Sequence, residues 1–383
     1  MDFTETEEMV ALRSTVRDVM APFGGSWYAD RAERREDTGE AWRALGQAGF
    51  LGVNVPEEYG GGGAGLQELA VVCEESAAVG CPQLLLLVSS AISGEVLTRY
   101  GSPEQRNEWL PTMCSGERKM VFAITEPTAG TNTHRITTKA ERDGDDWLIS
   151  GQKYFISGVD EANAVLVVAR TGTNTDGQAR MSLFIVPTDA DGMVAQNLPV
   201  SVTVPERQFT LFFDRVRVGP GALIGEEGAG FAQVFHGLNP ERIMGAALCV
   251  GVARYTLERA VSYANQREVF DGPIGAYQGV AHPLAQARIE TDLAALMTQK
   301  AAWLHDHGLP AGEASNVAKY AAAEAATSAA DQAIQTHGGL GVSTEVGLMP
   351  LWGMARLLKI APVNREMILN FVAHHSMGLP RSY

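Results

Sequence analysis

The chain has 383 residues, of which 45% are hydrophobic and 20% are charged, a composition typical of globular proteins. Its formal net charge of −15 argues against nucleic acid or an anionic membrane as the main partner, because both favour clustered lysine and arginine. No stretch approaches the ~18–20 uninterrupted apolar residues of a membrane span, and the acidic N-terminus resembles neither a signal nor a transit peptide. We therefore predict a cytoplasmic protein without membrane segments.

Residues 1–118 carry patterns of helical period and form the first predicted domain. Apolar residues at helical spacing predict helices in TETEEMVALRSTVRDVM, EAWRALGQAGF, LQELAVVCEESAAVG and LLLLVSSAISGEVLTRYG. Ser102 as a cap and Pro103 at the first position predict the start of a further helix. Four consecutive glycines within 55–65 predict a loop.

Residues 119–230 change to short runs rich in β-branched and aromatic residues, which predict strands. The runs are MVFAIT, WLIS, QKYFIS, AVLVVAR, MSLFIVP and RQFTLFFDRVRV, and turn residues such as Asp143 and Gly144 separate them. Because no helix-length pattern lies between them, we expect a β-sandwich or barrel and not a parallel Rossmann sheet.

Residues 231–383 return to helical patterns, now longer and rich in alanine, which permits the close helix contacts of a bundle. One helix ends at a glycine stop after His337. The predicted fold is therefore α+β, with an N-terminal helical domain, a middle β domain and a C-terminal helical bundle packed as one body. The four scattered cysteines indicate buried free thiols, and the histidine pairs have no third ligand at a metal-binding spacing.

The stretch LNPERIMGAA at 238–247 places Glu241 before a long apolar run. One interpretation is structural: Asn239 caps a helix, Pro240 takes its first position and the Glu241 carboxylate complements the helix dipole. The alternative is that Glu241 has a chemical role.

Four stretches, in order along the whole chain, resemble the acyl-CoA dehydrogenase family: FAITEPTAGTNTHRITTKAERDGDDWLISGQKYFISG, FDRVRVGPGALIGEEGAGF, QREVFDGPIGAYQ and AIQTHGGLGVSTE. The resemblance implies bound FAD, a C-terminal four-helix bundle and a homotetramer built as a dimer of dimers. It also implies oxidation of an acyl-CoA between its α and β carbons, with electrons passed to an electron-transfer flavoprotein.

The same resemblance implies two groups of cofactor contacts. The isoalloxazine would be lined by Phe122, Ile124 and Thr125, with Phe155 packed on the ring where the family often has Trp. Ser157 would offer its hydroxyl to flavin N5, where Thr is commoner, and the flavin phosphates and thioester entrance would lie near Gly130 and Thr131. The adenosine and pyrophosphate of a neighbouring subunit's FAD would be reached by Arg267, Phe270, Gln278, Gln335, Gly338 and Gly339.

Each of these residues also has an ordinary structural role open to it. Phe122 and Phe155 would be core residues of strands, Arg267 a solvated helix end, and Gly338 with Gly339 a helix C-cap. Asp271 follows Phe270 where the family usually has Gly, and we expect its carboxylate to point away from the pyrophosphate.

The reaction needs a base to take the α proton. Many family members place a Glu in a Tyr-Glu-Gly-Thr stretch near the C-terminus, but the equivalent KIAPVNREM at 359–367 has Pro362 there. The isovaleryl and long-chain branches instead use a Glu directly before an Arg on another helix, a pattern that matches Glu241 and Arg242. Arg242 would then lie near the thioester or behind the residues that contact it, and its alternative is an ordinary ion-pair residue. Glu366, one helical turn beyond Pro362, is a rival base.

The sequence leaves several alternatives to this function open. The same fold could serve a flavin oxidase or monooxygenase, a dehydrogenase of carrier-protein-tethered acyl groups, or a flavin-binding paralogue without a base, which Pro362 alone supports. The segment 86–94, with small Ser89, Ser90 and Ala91, either lines a pocket for a medium or long acyl chain or simply packs as a helix.

Overall fold

A computed structural model describes residues 4–173 and 179–381. The α-helices are α1 Glu7–Met20, α2 Gly25–Arg34, α3 Gly39–Gln47, α4 Leu66–Ala78, α5 Glu95–Tyr100, α6 Pro103–Cys114, α7 Gly230–Gln266, α8 Gln278–Asp306, α9 Gly312–His337, α10 Leu348–Leu358 and α11 Arg365–Phe371. Within the described residues, no helix is both long enough and apolar enough to cross a membrane.

Strands occupy the middle of the chain. They are β1 Met120–Ala123, β2 Lys139–Asp143, β3 Asp146–Ser157, β4 Ala164–Thr173, β5 Ala179–Pro187, β6 Met193–Leu198, β7 Gln208–Val218 and β8 Leu223–Ile224, with a later hairpin of β9 Glu268–Val269 and β10 Gly272–Pro273. The main sheet has the order β6-β7-β3-β2-β4-β5-β8, largely antiparallel, and β1 pairs in parallel with β4. The predicted order of helices, β unit and helices is confirmed, while the exact domain boundaries stay predictions.

The N-terminal helices follow the local signals closely. The Thr6 hydroxyl accepts from the Met9 amide to cap α1, and Ser102 with Gln105 forms a capping box at the start of α6. The sequence missed α2, which carries no such cap. The single helix predicted over 84–101 is instead a π-helix, Leu86–Gly94, followed by α5.

Two predictions in the β domain were wrong in detail. WLIS and QKYFIS are not separate strands but one strand, β3, because a register shift against β7 at Gly151 absorbs the irregularity without ending the strand. Gly151 permits this because its φ of 149° is a conformation that L side chains rarely adopt. The sequence also missed β6, most of whose residues are exposed.

The predicted helix start at Asn239 was also wrong. Helix α7 begins at Gly230 and continues through Pro240, so Asn239 is not a cap and Glu241 does not lie in a first turn. Pro240 removes one backbone hydrogen bond from the helix interior, and the packing of α7 against α4, α8 and α9 maintains the helix through it. The helix-dipole interpretation of Glu241 therefore fails.

Both faces of the sheet are buried around β4, which explains the continuous apolar run of this strand. Val165 and Val167 face one hydrophobic cluster, shared with the N-terminal helices and the C-terminal bundle, while Leu166 and Val168 face a second cluster, with α5 and α6. The sheet thus lies between helical layers and fixes the ends of β1 and β3 relative to α7.

A buried ion pair joins β3 to the segment that follows β1. Lys153 Nζ lies 3.0 Å from Glu126 Oε1 and donates to the Ile124 carbonyl, and both charged side chains are at most 1% exposed. The Glu126 carboxylate also accepts from the Thr137 and Thr138 amides. These bonds hold the pKa of Glu126 at about 2, against the effect of burial, and they fix the loop 124–138 on the sheet.

We expect Lys153→Met to lower the free energy of unfolding by about 3–5 kcal/mol, because the buried Glu126 carboxylate then lacks its countercharge. Urea denaturation of the purified variant measures this. The matched control is Lys139→Met, which removes the ion pair between Lys139 and Glu141. These two side chains are 53% and 52% exposed, so the control should lower the free energy of unfolding by at most about 1 kcal/mol. Equal losses of unfolding free energy in both variants would contradict the conclusion that the pair of Glu126 and Lys153 fixes the loop on the sheet.

Candidate active site

Glu241 lies on the face of α7 that looks toward the π-helix and the segment after α10. One turn before it, a Cβ placed on Gly237 would come within 3.2 Å of Ile92 Cγ2. One turn after it, a Cβ on Gly245 would meet Leu87 and Pro362 Cδ at 3.6 and 3.9 Å. Because residues four apart share a helix face, the Glu241 carboxyl points into the gap between these elements.

The charged groups that act on the Glu241 carboxyl are two cations, Arg242 and Lys319. Its side chain is buried, and burial raises the pKa of the carboxyl to about 8, although the charges of Arg242 and Lys319 act in the opposite direction. Burial likewise lowers the pKa of Lys319 to about 8 and lowers that of Arg242, whose guanidinium donates to Asn239 Oδ1 at 2.9 Å. The carboxyl can therefore hold or release a proton near neutral pH.

The segment 362–364 connects Glu241 to the β domain. Pro362 approaches Gly245 of α7, the Val363 carbonyl accepts a hydrogen bond from Lys319 of α9, and Asn364 Nδ2 donates to Thr131 Oγ1 at 3.2 Å. Asn364 also caps α11 through the Met367 amide. This segment thus brings the base predicted on α7 and the loop carrying Thr131 to one junction.

The π-helix forms a wall of the same gap. Ser89 and Ala91 are buried, and the Ser89 hydroxyl accepts from the Met120 amide at 3.2 Å, which fixes the π-helix to β1. The packing role predicted for this segment is therefore seen at Ser89, while Leu87 and Ile92 face α7 on either side of the turn that carries Glu241. The pocket role predicted for Ser89, Ser90 and Ala91 stays a prediction.

The structure brings the predicted ring contacts together at the ends of β1 and β3. The Tyr154 amide donates to the Thr125 carbonyl at 2.8 Å, so the residues after β1 lie beside those at the end of β3. Ile124 is half-buried and held through its carbonyl by Lys153. Phe122 is 9% exposed and packs in the second hydrophobic cluster, as its core alternative predicts.

Phe155 departs from ordinary strand geometry. Its φ is 57°, a conformation that costs free energy for a bulky residue, and its ring is 53% exposed with an edge contact to Tyr154. The core alternative for Phe155 is therefore wrong. A Cβ on the exposed Gly130 would meet nothing within 4 Å. An exposed aromatic face beside half-buried hydroxyls and open backbone fits a flat ring with phosphates.

Ser157, the last residue of β3, pairs with Gln208 of β7. The serine is half-buried and its hydroxyl lies within hydrogen-bond distance of the glutamine amide, whose side chain is 8% exposed. The hydroxyl therefore has a fixed position at the end of the strand.

The remaining predicted cofactor residues lie on a second, exposed surface of the bundle. Tyr263 and His337 stack with centroids 4.3 Å apart and bring the ends of α7 and α9 together. The hairpin β9–β10 extends from this end, with Phe270 94% exposed at its tip and Asp271 exposed beside it. The exposed residues of this surface are Arg267, Phe270, Gln278, Gln335, Gly338 and Gly339. Gly338, with a φ of 60°, also ends α9 as predicted.

The rival base Glu366 lies in a different environment. Its side chain is 72% exposed, beside Arg365, so water and not an apolar gap surrounds its carboxyl. Sequence reasoning missed Lys319, Glu126, Lys153 and Gln208. Lys319 carries a recognisable signal, because it is a lone lysine on the small-residue face of an alanine-rich helix.

Family profiles match the chain almost from end to end. The acyl-CoA dehydrogenase N-terminal domain matches residues 6–117, the middle domain 121–216 and the C-terminal domain 228–377. Acyl-CoA dehydrogenase FadE12 of Mycobacterium tuberculosis H37Rv is 55% identical over 383 residues, which cover 100% of this chain and 99% of the relative.

Solved structures agree with these matches. A glutaryl-CoA dehydrogenase in complex with glutaryl-CoA superposes with a TM-score of 0.92 at 29% identity, covering 100% of this chain and 98% of the other. Butyryl-CoA dehydrogenase from Megasphaera elsdenii gives 0.90 at 25% identity, with 96% and 98% covered. The chain therefore belongs to the acyl-CoA dehydrogenase family, whose members are FAD enzymes that dehydrogenate acyl-CoA thioesters.

Proposed function

We propose that Glu241 is the base that removes the α proton of the acyl-CoA substrate to give the trans-2-enoyl-CoA. The observation that carries this proposal is a buried carboxyl in an apolar gap, with its pKa raised to about 8, on the helix face opposite Pro362. A buried base with a raised pKa attracts the α proton more strongly than an exposed one, as catalysis requires. Burial of Glu241 also argues against a paralogue that has lost its base.

The residues at the ends of β1 and β3 would hold the flavin ring. The Phe155 face would stack on it, Phe122, Ile124 and Thr125 would line it, and Ser157 would donate its hydroxyl to the ring. Gly130 and Thr131 leave room near the phosphates and the thioester entrance. Bound FAD supplies the two-electron acceptor for the hydrogen that leaves the β carbon as hydride.

The buried Lys319 and the half-buried Arg242 would assist Glu241 as cations. The charges of both favour the ionised carboxylate before it accepts the proton, and Arg242, the next residue on α7, would contact the thioester. Lys319 additionally holds the Val363 carbonyl, so it keeps the segment 362–364 against the bundle. Electrons would leave through an electron-transfer flavoprotein in the cytoplasm, where the enzyme would act on acyl-CoAs of fatty acid metabolism.

A homotetramer, built as a dimer of dimers, fits the apolar groups left exposed on the chain. Phe270 is 94% exposed at the hairpin tip, next to Arg267 and Gln278, as expected if these residues reach the FAD of a neighbouring subunit. Along α8, three apolar side chains form a stripe at helical spacing: Ile289, Leu293 and Leu296 are 61%, 62% and 48% exposed. We propose that subunit contacts cover the stripe.

Glu241→Gln should bind FAD normally but reduce it at least about 100-fold more slowly, because an amide cannot accept the α proton. Anaerobic stopped-flow mixing with a panel of straight and branched acyl-CoAs measures flavin bleaching. Glu366→Gln is the control and should retain the wild-type rate. Full bleaching by Glu241→Gln at the wild-type rate would remove Glu241 from the mechanism.

The rate of flavin reduction in the wild-type enzyme should rise with pH and level off above about 8. Only the ionised Glu241 carboxylate accepts a proton, and its raised pKa keeps it largely protonated below that pH. Pre-steady-state rates between pH 6 and 9.5, at acyl-CoA concentrations well below saturation, test this. A rate that falls across this range would be the opposite of the expected sign.

Leu293→Glu should lower the mass in solution below that of a tetramer, because a charge within the stripe opposes burial between subunits. Light scattering after size-exclusion chromatography measures it. Leu309→Glu, at a 45% exposed leucine just beyond α8, is the matched control and should leave the mass unchanged. If both variants keep the tetrameric mass, the stripe is not a subunit contact.

A further inference from the structure

Ser157 and Gln208 form an unusual side-chain pair at the end of β3. Gln208 Oε1 lies 3.1 Å from Ser157 Oγ, and Gln208 Nε2 lies 2.9 Å from the same oxygen. The two residues are direct partners across the sheet, and the Gly158 amide donates to the Arg207 carbonyl at 2.9 Å just beyond them. The backbone therefore fixes the pair, with the buried amide behind the half-buried hydroxyl.

This geometry offers the hydroxyl two hydrogen-bond arrangements. A serine hydroxyl has one proton and two lone pairs, while a glutamine amide has both a donor and an acceptor. Ser157 can accept from Gln208 Nε2 and direct its own proton outward, or it can donate to Gln208 Oε1 and present a lone pair outward. Since both amide atoms are within reach of one Oγ, rotation of the O–H alone converts one arrangement into the other.

A flavin needs both arrangements in turn. Oxidised N5 is a hydrogen-bond acceptor, and transfer of a hydride from the substrate β carbon places two electrons and a hydrogen there, so reduced N5–H is a donor. A side chain that can only donate a hydrogen bond to N5 is therefore suited to the oxidised flavin alone. This part of the argument rests on the proposed function, in which Ser157 faces flavin N5.

We propose that Gln208 is a positioning residue that lets the Ser157 hydroxyl change from donor to acceptor as the flavin is reduced. With oxidised flavin, Nε2 donates to Oγ and the serine proton goes to N5. With reduced flavin, N5–H donates to Oγ and the serine proton goes to Oε1. Gln208 thereby supports both redox states without adding a charge beside the ring.

The oxidised and reduced states of the flavin do not depend on Gln208 equally. Removal of the amide should therefore shift the midpoint potential in one direction. With oxidised flavin, removal of the amide takes away the hydrogen bond that Gln208 Nε2 donates to Ser157 Oγ. The serine hydroxyl can still donate its own proton to N5. The reduced state loses the acceptor for the serine proton, and an unpaired buried donor is the more costly defect. Removing the amide should therefore disfavour the reduced flavin and lower its midpoint potential.

The test is the midpoint potential of FAD bound to the holoenzyme, measured by anaerobic dye-coupled reduction without acyl-CoA. Gln208→Leu should shift the redox equilibrium about tenfold toward the oxidised form, which is about 30 mV for a two-electron couple. Gln196→Leu, at an exposed glutamine of the neighbouring strand β6, is the matched control and should leave the potential unchanged. Gln208→Met, closer in length, replaces the leucine variant if that one does not retain FAD.

A double-mutant cycle separates this inference from the proposed function. Ser157→Ala alone should change the potential and the flavin absorption spectrum, and in that background Gln208→Leu should have no further effect. If Ser157→Ala shifts the potential but Gln208→Leu does not, or if the Gln208→Leu shift persists without Ser157, only the role of Gln208 is overturned. If Ser157→Ala changes neither potential nor spectrum, the placement of Ser157 at the flavin fails as well.

Discussion

The removal of the Glu241 carboxyl from water is the constraint on which the site depends. Burying a carboxylate is costly, and the packing of α7 against its neighbours imposes that cost. Gly237, one turn before Glu241, lets the π-helix approach α7 closely, because a Cβ at this position would lie 3.2 Å from Ile92 Cγ2. One turn after it, Leu87 and Pro362 lie at ordinary contact distance from Gly245. Burial thus raises the pKa of a carboxyl that would be ionised at the surface, which suits the proposed role of Glu241 as proton acceptor.

Ionic and polar contacts then join this gap to the β domain. Lys319 holds the Val363 carbonyl, Asn364 reaches Thr131, and the buried pair of Glu126 and Lys153 fixes the loop that carries Thr131 onto β3. The β domain and the C-terminal bundle therefore meet at a few residues, so the loss of one contact would displace the proposed base relative to the proposed flavin edge. Pro362, where many family members carry a glutamate, is compatible with the proposal that α7 supplies the carboxyl instead.

The sequence predicted those features that local chemistry determines, and missed those that arise from packing. N-terminal caps such as Thr6 and Ser102 depend on a few neighbouring residues, so the sequence alone located the helices that begin there. Helix α7 runs through Pro240 only because tertiary contacts support it, and the π-helix has no local signature that separates it from an α-helix. In the site, motif resemblance pointed to Glu241, and Lys319 could have been noticed as the lone lysine of α9. Gln208 emerges only when β3 and β7 are brought together.

The most direct measurement is exchange of the substrate α proton with solvent, followed by NMR in D₂O with an acyl thioester that cannot lose a β hydride. This isolates proton removal from every later step. The holoenzyme should exchange the α position readily, and Glu241→Gln with a full complement of FAD should be slower by a factor on the order of 100 or more. Exchange at the wild-type rate in that variant would contradict the assignment of Glu241 as the base.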